Sequence, residues 1–383
     1  MKELYLLDPD VHFLNHGSFG ACPRPVFEAY QGFQRELELR PVEFLALERR
    51  FPELIDAARM RLAAYVGADT DNIAFTPNAS TALNAAIRSL PLGPGDELLL
   101  GDQEYGGMEI LCEFVARRTG ATLVRRPFAE LEPGPRTRAV FCSHVEWTSG
   151  RVNDLAPLIA AARDAGAVSI VDGAHAPGQI DLALDELGPD VYAGNCHKWL
   201  CAPKGAGFLH VRKDRLAGIR PLVVSHGANS PRTDRSRFRL EFDWMGTRDP
   251  SPLVCVPRAI ELVGSLVAGR WPEVRARNAA LARRARALLC EALQVSPPCP
   301  ESMLGSLAAV ELPPEAGPRP AALPDRDPLH LLLFERYGIE VPVYAWPGAE
   351  RRWIRVSPHL HNSEAQYEFL AGALRETLKR GVS

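Results

Sequence analysis

Short apolar runs alternate along the first 211 positions with longer stretches whose apolar residues recur at helical spacing. "NIAFT" (72–76) precedes a helical pattern from Ser80, and "DELLLG" (96–101) precedes another from about Gly107 to Arg118. "ATLVRRP" (121–127) and "RAVFCSH" (138–144) follow, then the helical "NDLAPLIAAARDAG". "AVSIVDGAH" (167–175), "DVYAGNCHK" (190–198) and "GAGFLHV" (205–211) complete the series. Strands that alternate with helices predict an α/β fold with a mostly parallel sheet flanked by helices. "GAGFLHV" follows "DVYAGN" too closely for a helical crossover, so one strand there is expected to be antiparallel.

After about residue 250 the pattern changes. "WPEVRARNAALARRARALLCEAL" (271–293) reads as a long amphipathic helix with a solvated, Arg-rich side. "ELPPEAGPRPAALPDRDP" (311–328) reads as a Pro-rich loop, and the remainder as helix, strand, strand, helix. The expected organisation is a large domain over 16–249. A smaller α+β domain over 250–383 is expected to include the N-terminal segment 1–15.

Composition changes this picture little. The chain has 383 residues, 46% of them hydrophobic, and a net charge of −3, which gives no general attraction to nucleic acid or anionic membrane. No apolar run reaches the ~18–20 residues of a membrane span, and the N-terminus lacks the pattern of a secretory signal. The eight cysteines are scattered, without zinc spacing, and read as reduced packing residues. A cytoplasmic location is expected from these features.

Lysine usage is more telling. Only five of the 44 basic residues are lysine, and two of those, Lys198 and Lys204, lie within "CHKWLCAPKGAG". Arginine stays protonated and is not nucleophilic, so a retained lysine points to amine chemistry. Lys198 follows a predicted strand directly. Lys204 lies among glycines and reads as a loop cation supporting a turn. In open α/β sheets ligands bind beyond the carboxyl ends of the strands. Asp172 ends one buried strand there, with His175 three residues on. A carboxylate so placed needs a cationic partner, such as a protonated ring nitrogen. Pyridoxal phosphate requires such a lysine and such an aspartate together. "NAST" (78–81) opens a helix with groups suited to a phosphate. "SHVEWTSGRVND" (143–154) supplies polar side chains at a further strand end. No GxGxxG opens a helix after the first strand, against a Rossmann-type dehydrogenase.

These residues resemble fold-type I pyridoxal-phosphate enzymes of the class V aminotransferase group, and within it the isopenicillin N epimerase-like branch. The motifs are "FLNHGSFGACP", "NAST", "DQEY", "VDGAHAPGQ", "GNCHKWLCAPKGAGFL", "WMGTRDPSP" and "IRVSPHLHN", spanning residues 13–362. The resemblance implies a Schiff base between Lys198 and pyridoxal 5'-phosphate, Asp172 at the pyridinium nitrogen and His175 at the phenolic oxygen. It implies Tyr105 stacked on the ring and Ala79, Ser80, Asn195 and His197 at the phosphate. Thr247 would reach the phosphate of a neighbouring subunit in a homodimer. Arg355 would bind the carboxylate of an amino-acid substrate, with Asn15, His16 and Ser18 lining the substrate mouth. Glu146 departs from the group's neutral residue and would either alter ring electronics or recognise a substrate cation. No cysteine follows Cys299, which disfavours the persulfide chemistry of the related cysteine desulfurases. The implied activity is epimerisation at the α-carbon, with transamination or β-elimination as alternatives. A non-catalytic binding protein on the same fold is a distant one.

Overall fold

The structure, a computed structural model, describes residues 1–316, 327–345 and 352–380. Its strands are β1 (His12–Phe13), β2 (Ile73–Thr76), β3 (Glu97–Gly101), β4 (Thr122–Arg126), β5 (Thr137–Ser143), β6 (Val168–Gly173), β7 (Val191–Asn195), β8 (Gly207–Val211), β9 (Ala308–Glu311), β10 (Ile339–Glu340), β11 (Val343–Ala345) and β12 (Arg352–Val356). The chain forms two compact units. The larger comprises Arg24–Val145 and Asn153–Val263; the smaller comprises Met1–Pro23, Glu146–Val152 and Gly264–Ser383. These extents differ from 16–249 and 250–383. Leu253, Val256, Ile260 and Val263 are buried at helical spacing and belong with the larger unit.

The larger unit is built on a seven-stranded sheet of order β2-β8-β7-β6-β5-β3-β4. All its pairings are parallel except those of β8, which runs antiparallel to both β7 and β2. The short β7–β8 connection cannot accommodate a crossover, as the spacing in the sequence predicts. Leu98 and Leu100, Ala139 and Phe141, and Val191 and Ala193 alternate with their neighbours to one face. There they pack with the helices Ala79–Arg88 and Gly106–Thr119. The opposite face buries Leu99, Val140, Val171 and Tyr192. Burial on both faces accounts for near-continuous apolar strands, and it places the carboxyl ends of β2, β3, β5, β6 and β7 along one edge.

The smaller unit has an antiparallel sheet of order β11-β12-β9 and a parallel pair, β1 with β10. The helices Arg270–Leu293 and Glu364–Arg380 bury Ala282, Ala285, Leu289, Tyr367, Leu370 and Leu374 in its core. Strand β9 is not signalled by the sequence pattern. Most of the predicted Pro-rich loop lies outside the described residues, at 317–326. Among the described residues no single helix is long and apolar enough to cross a membrane.

Candidate active site

Five strand ends of the larger unit supply polar residues. After β2, Asn78 caps the helix Ala79–Arg88, its Oδ1 accepting from Thr81 N at 2.8 Å. Asn195, at the end of β7, accepts from Ala79 N through its Oδ1 at 2.8 Å. Two residues expected at a phosphate are therefore bonded to each other, and Ser80 is left as the helix-opening donor. Gly207 permits this close approach: a Cβ there would lie 2.7 Å from Asn78 Cα.

His197 is held by a 2.9 Å bond between its Nδ1 and the Ala206 carbonyl. Burial pushes its pKa down to about 4, aided by Lys198 and Lys204 and opposed by the Ala206 carbonyl. Its ring is thus neutral near pH 7, with the Nδ1 proton donated to Ala206. Tyr105 is half-exposed at the N-terminus of the helix Gly106–Thr119, its ring against Gly107. Thr247 is exposed in the loop before the helix Ser251–Val254.

Asp172 is the penultimate residue of β6, opposite Ala193 of the parallel neighbour β7, and is buried. Its Oδ1 accepts from Ala174 N at 2.8 Å. Desolvation raises its pKa, and the Ala174 N–H and Lys198 oppose that without cancelling it. The carboxylate is thus short of stabilising positive charge. Three residues past β7, Lys198 Nζ lies 3.0 Å from His175 Nε2. On the other side of the imidazole, the Trp199 indole N–H donates to His175 Nδ1 at 3.4 Å. Lys204 is exposed in the following turn, and Cys196 and Cys201 are buried.

Within the 143–154 stretch the structure adds a pairing with Tyr192 of β7 that the sequence does not announce. His144 Nδ1 is 2.9 Å from the Tyr192 hydroxyl, and His144 N donates to the Asp172 carbonyl. Burial pushes the His144 pKa down to about 4, against a small opposing pull from Asp154. The unfolded chain therefore takes up this proton first. The stability involved is complete above pH 6.5 and is lost as pH falls towards 4. His144→Gln is expected to flatten the decline of the urea midpoint across that window, removing at most about 3 kcal/mol of pH dependence.

The smaller unit holds the expected substrate residues. Arg355, on β12, is 4% exposed. Its Nη1 donates to the Trp147 carbonyl at 2.7 Å and its Nη2 to Ser18 Oγ at 3.0 Å. Its Nε has no hydrogen-bond partner, and among the described residues no carboxylate lies within ion-pair distance of the guanidinium. Burial lowers its pKa. Ser18 Oγ donates to Asn15 Oδ1 at 2.6 Å, and Asn15 Nδ2 donates to Glu340 at 3.1 Å. Trp147 and Tyr344 form an aromatic pair with centroids 5.2 Å apart.

Two expectations meet a different geometry here. The Glu146 carboxylate accepts from Ser149 Oγ and lies 3.7 Å from Arg151 Nε, so it already has a cation of its own. His16 is fully buried, stacked on His359 at 4.2 Å, with Nδ1 3.1 Å from His361 Nε2. Its ring is part of a histidine cluster 343 or more positions away in sequence, which no local pattern announces.

Residues 20–294 match the family described as aminotransferase class-V. The chain is 38% identical to isopenicillin N epimerase of Amycolatopsis lactamdurans, over 99% of this chain and 98% of that protein. It is 26% identical to a probable chloroplastic L-cysteine desulfhydrase of Arabidopsis thaliana, over 98% and 84%. Among solved structures it is similar to a C-DES mutant with glycine covalently linked to its PLP cofactor. The TM-score there is 0.81 at 23% identity, covering 98% of this chain and 99% of that one, a likeness of fold.

Proposed function

Because the chain belongs to the aminotransferase class-V family, and is an enzyme of it, we propose that it binds pyridoxal 5'-phosphate and inverts the α-carbon of an amino acid, as an epimerase. One observation carries the reading. A strand-end lysine amine and a buried carboxylate short of positive charge follow adjacent parallel strands. The residues present fit the cofactor: a ring N–H⁺ is the partner that Asp172 lacks, and Lys198 is the nucleophilic amine.

When bound, that cofactor draws electrons from the bonds at the substrate α-carbon. Asp172 holds the ring nitrogen protonated. His175 donates towards the phenolic oxygen. Ser80 holds the phosphate, joined by His197 once the anion draws a proton onto its Nε2, with Ala79 and Asn195 fixing the turn around it, and Tyr105 covers the ring. Lys198 anchors the cofactor and then, as a free amine, moves the α-proton. Thr247 reaches the phosphate of a second copy in a homodimer. Exposed Leu39, Val42, Leu222, Val223 and Val224 on the larger unit supply apolar surface for that association.

Arg355 binds the substrate carboxylate, which supplies the anion missing from its buried guanidinium. Asn15 and Ser18 orient that fork. Arg355→Lys keeps the charge but loses the fork, and is expected to raise KM about 10- to 100-fold with a smaller fall in kcat.

Epimerisation is favoured over β-elimination by the 38% identity with the named epimerase across both chains, against 26% for the desulfhydrase. The test is a screen of amino acids in heavy water with chiral analysis. Deuterium at the α-carbon together with the inverted isomer, without keto acid, supports the reading. Pyruvate with released sulfide establishes the lyase alternative instead. Keto acid formed with an amine acceptor establishes the aminotransferase.

A further inference from the structure

Trp199 is completely buried, immediately after Lys198. Its indole nitrogen can only donate, so His175 Nδ1, which receives that bond, must carry a lone pair. The proton of a neutral His175 then sits on Nε2, the nitrogen 3.0 Å from Lys198 Nζ. A doubly protonated His175 would set N–H against N–H at the Trp199 contact. A Lys198 ammonium would do the same at the other ring nitrogen. Both contacts are satisfied together only when His175 carries Nε2–H and Lys198 turns an amine lone pair towards it. The uncharged amine is also the form that attacks a carbonyl.

We infer that Trp199 is a positioning residue that fixes the Nε2–H tautomer of His175 and, through it, favours the uncharged, nucleophilic form of Lys198. The inference rests on Lys198 being the cofactor lysine, whereas the tautomer itself does not. The opposing influence is Asp172, whose carboxylate attracts an ammonium at Lys198. The two loops concerned are closely fixed. Gly178 has φ +90°, and a Cβ there would lie 2.6 Å from the Trp199 carbonyl. Gln179 Nε2 donates to the His175 carbonyl at 2.7 Å, and Cys201 N donates to the Lys198 carbonyl at 3.0 Å. Cys201 adopts φ 60°, a conformation unusual for a side-chain-bearing residue, to close that turn. Imidazole and indole are thus held face to partner by backbone as well as by side chain.

The experiment uses the full-length chain with ¹⁵N-labelled histidine, with and without cofactor, and two-bond proton–nitrogen correlation spectra. The His175 signals are assigned from His175→Gln. The expected result in the cofactor-free wild type is an unprotonated Nδ1 and a protonated Nε2. Trp199→Phe keeps an aromatic ring at the site but has no donor, and should give a tautomer mixture with Nδ1 partly protonated. In parallel, the rate at which Lys198 of the cofactor-free chain reacts with an amine-directed acylating reagent at fixed pH should fall roughly three- to tenfold in Trp199→Phe. Protonation of Nδ1 in the wild type would overturn the inference, and this reading needs no variant to fold. So would an unchanged tautomer in Trp199→Phe, even if Lys198 reacted more slowly, since that would mark a packing defect alone. If the cofactor proves to be attached elsewhere, the tautomer result still stands, so the two failures are separable.

Discussion

Lys198→Ala is expected to lower turnover by at least about 10³-fold and to remove the visible absorption of the lysine-bound cofactor. The loss follows from the two roles proposed for one amine, to anchor the cofactor and to carry the α-proton. Lys198→Arg is expected to be as inactive, because a guanidinium neither attacks a carbonyl nor gives up its proton near neutral pH. Lys204 offers no rescue, since it lies exposed in the turn beyond, six residues along. Turnover and absorption spectra of the three proteins, each loaded with the same cofactor, check the expectation. A Lys198→Ala protein that kept the wild-type band would show that another residue holds the cofactor.

Asp172→Asn is expected to have the second largest effect, a fall in kcat of roughly 10³-fold. At ~4 Å and an effective dielectric of ~20, a carboxylate and a ring N–H⁺ attract by about 4 kcal/mol, a difference of about that size in rate. The neutral amide still accepts from Ala174 N, so the turn after β6 is retained. Cofactor-free protein behaves in the opposite sense. Burial raises the Asp172 pKa, so the charged form weakens the empty fold as pH rises through that pKa. The Asn variant should therefore be at least as stable as wild type without cofactor, yet far less active with it. Urea midpoints of the empty proteins and kcat of the loaded ones separate this from a folding defect.

Much of the proposed cofactor side was legible because its residues sit where strands end. Asp172, Asn195 and Lys198 lie at or just past the ends of short, near-continuous apolar runs bounded by turn residues, and the scarcity of lysine singles out Lys198. The antiparallel β8 was legible from a connection too short for a helix. What the sequence concealed depends on partners distant along the chain. Strand β9 pairs with β12 more than forty residues on, and β1 with β10 across more than three hundred. The Asn195–Ala79 bond and the His16 stack on His359 join similarly remote positions. Glu146 shows a subtler limit. Its partner Arg151 is only five residues away, but the turn that brings them within 3.7 Å has no periodic signature. Trp199 was visible as a letter beside Lys198, whereas its bond to His175 required the packing of two loops.

The central claim, that Lys198 is the amine that holds the cofactor, is tested most directly by borohydride reduction of the loaded enzyme followed by peptide mapping. Reduction converts the C=N bond that a lysine amine forms with the cofactor's aldehyde into a stable secondary amine whose position can be read by fragmentation. The account predicts the added cofactor mass on Lys198 alone. Its appearance on Lys204 or any of the other three lysines, or on no peptide, would contradict it.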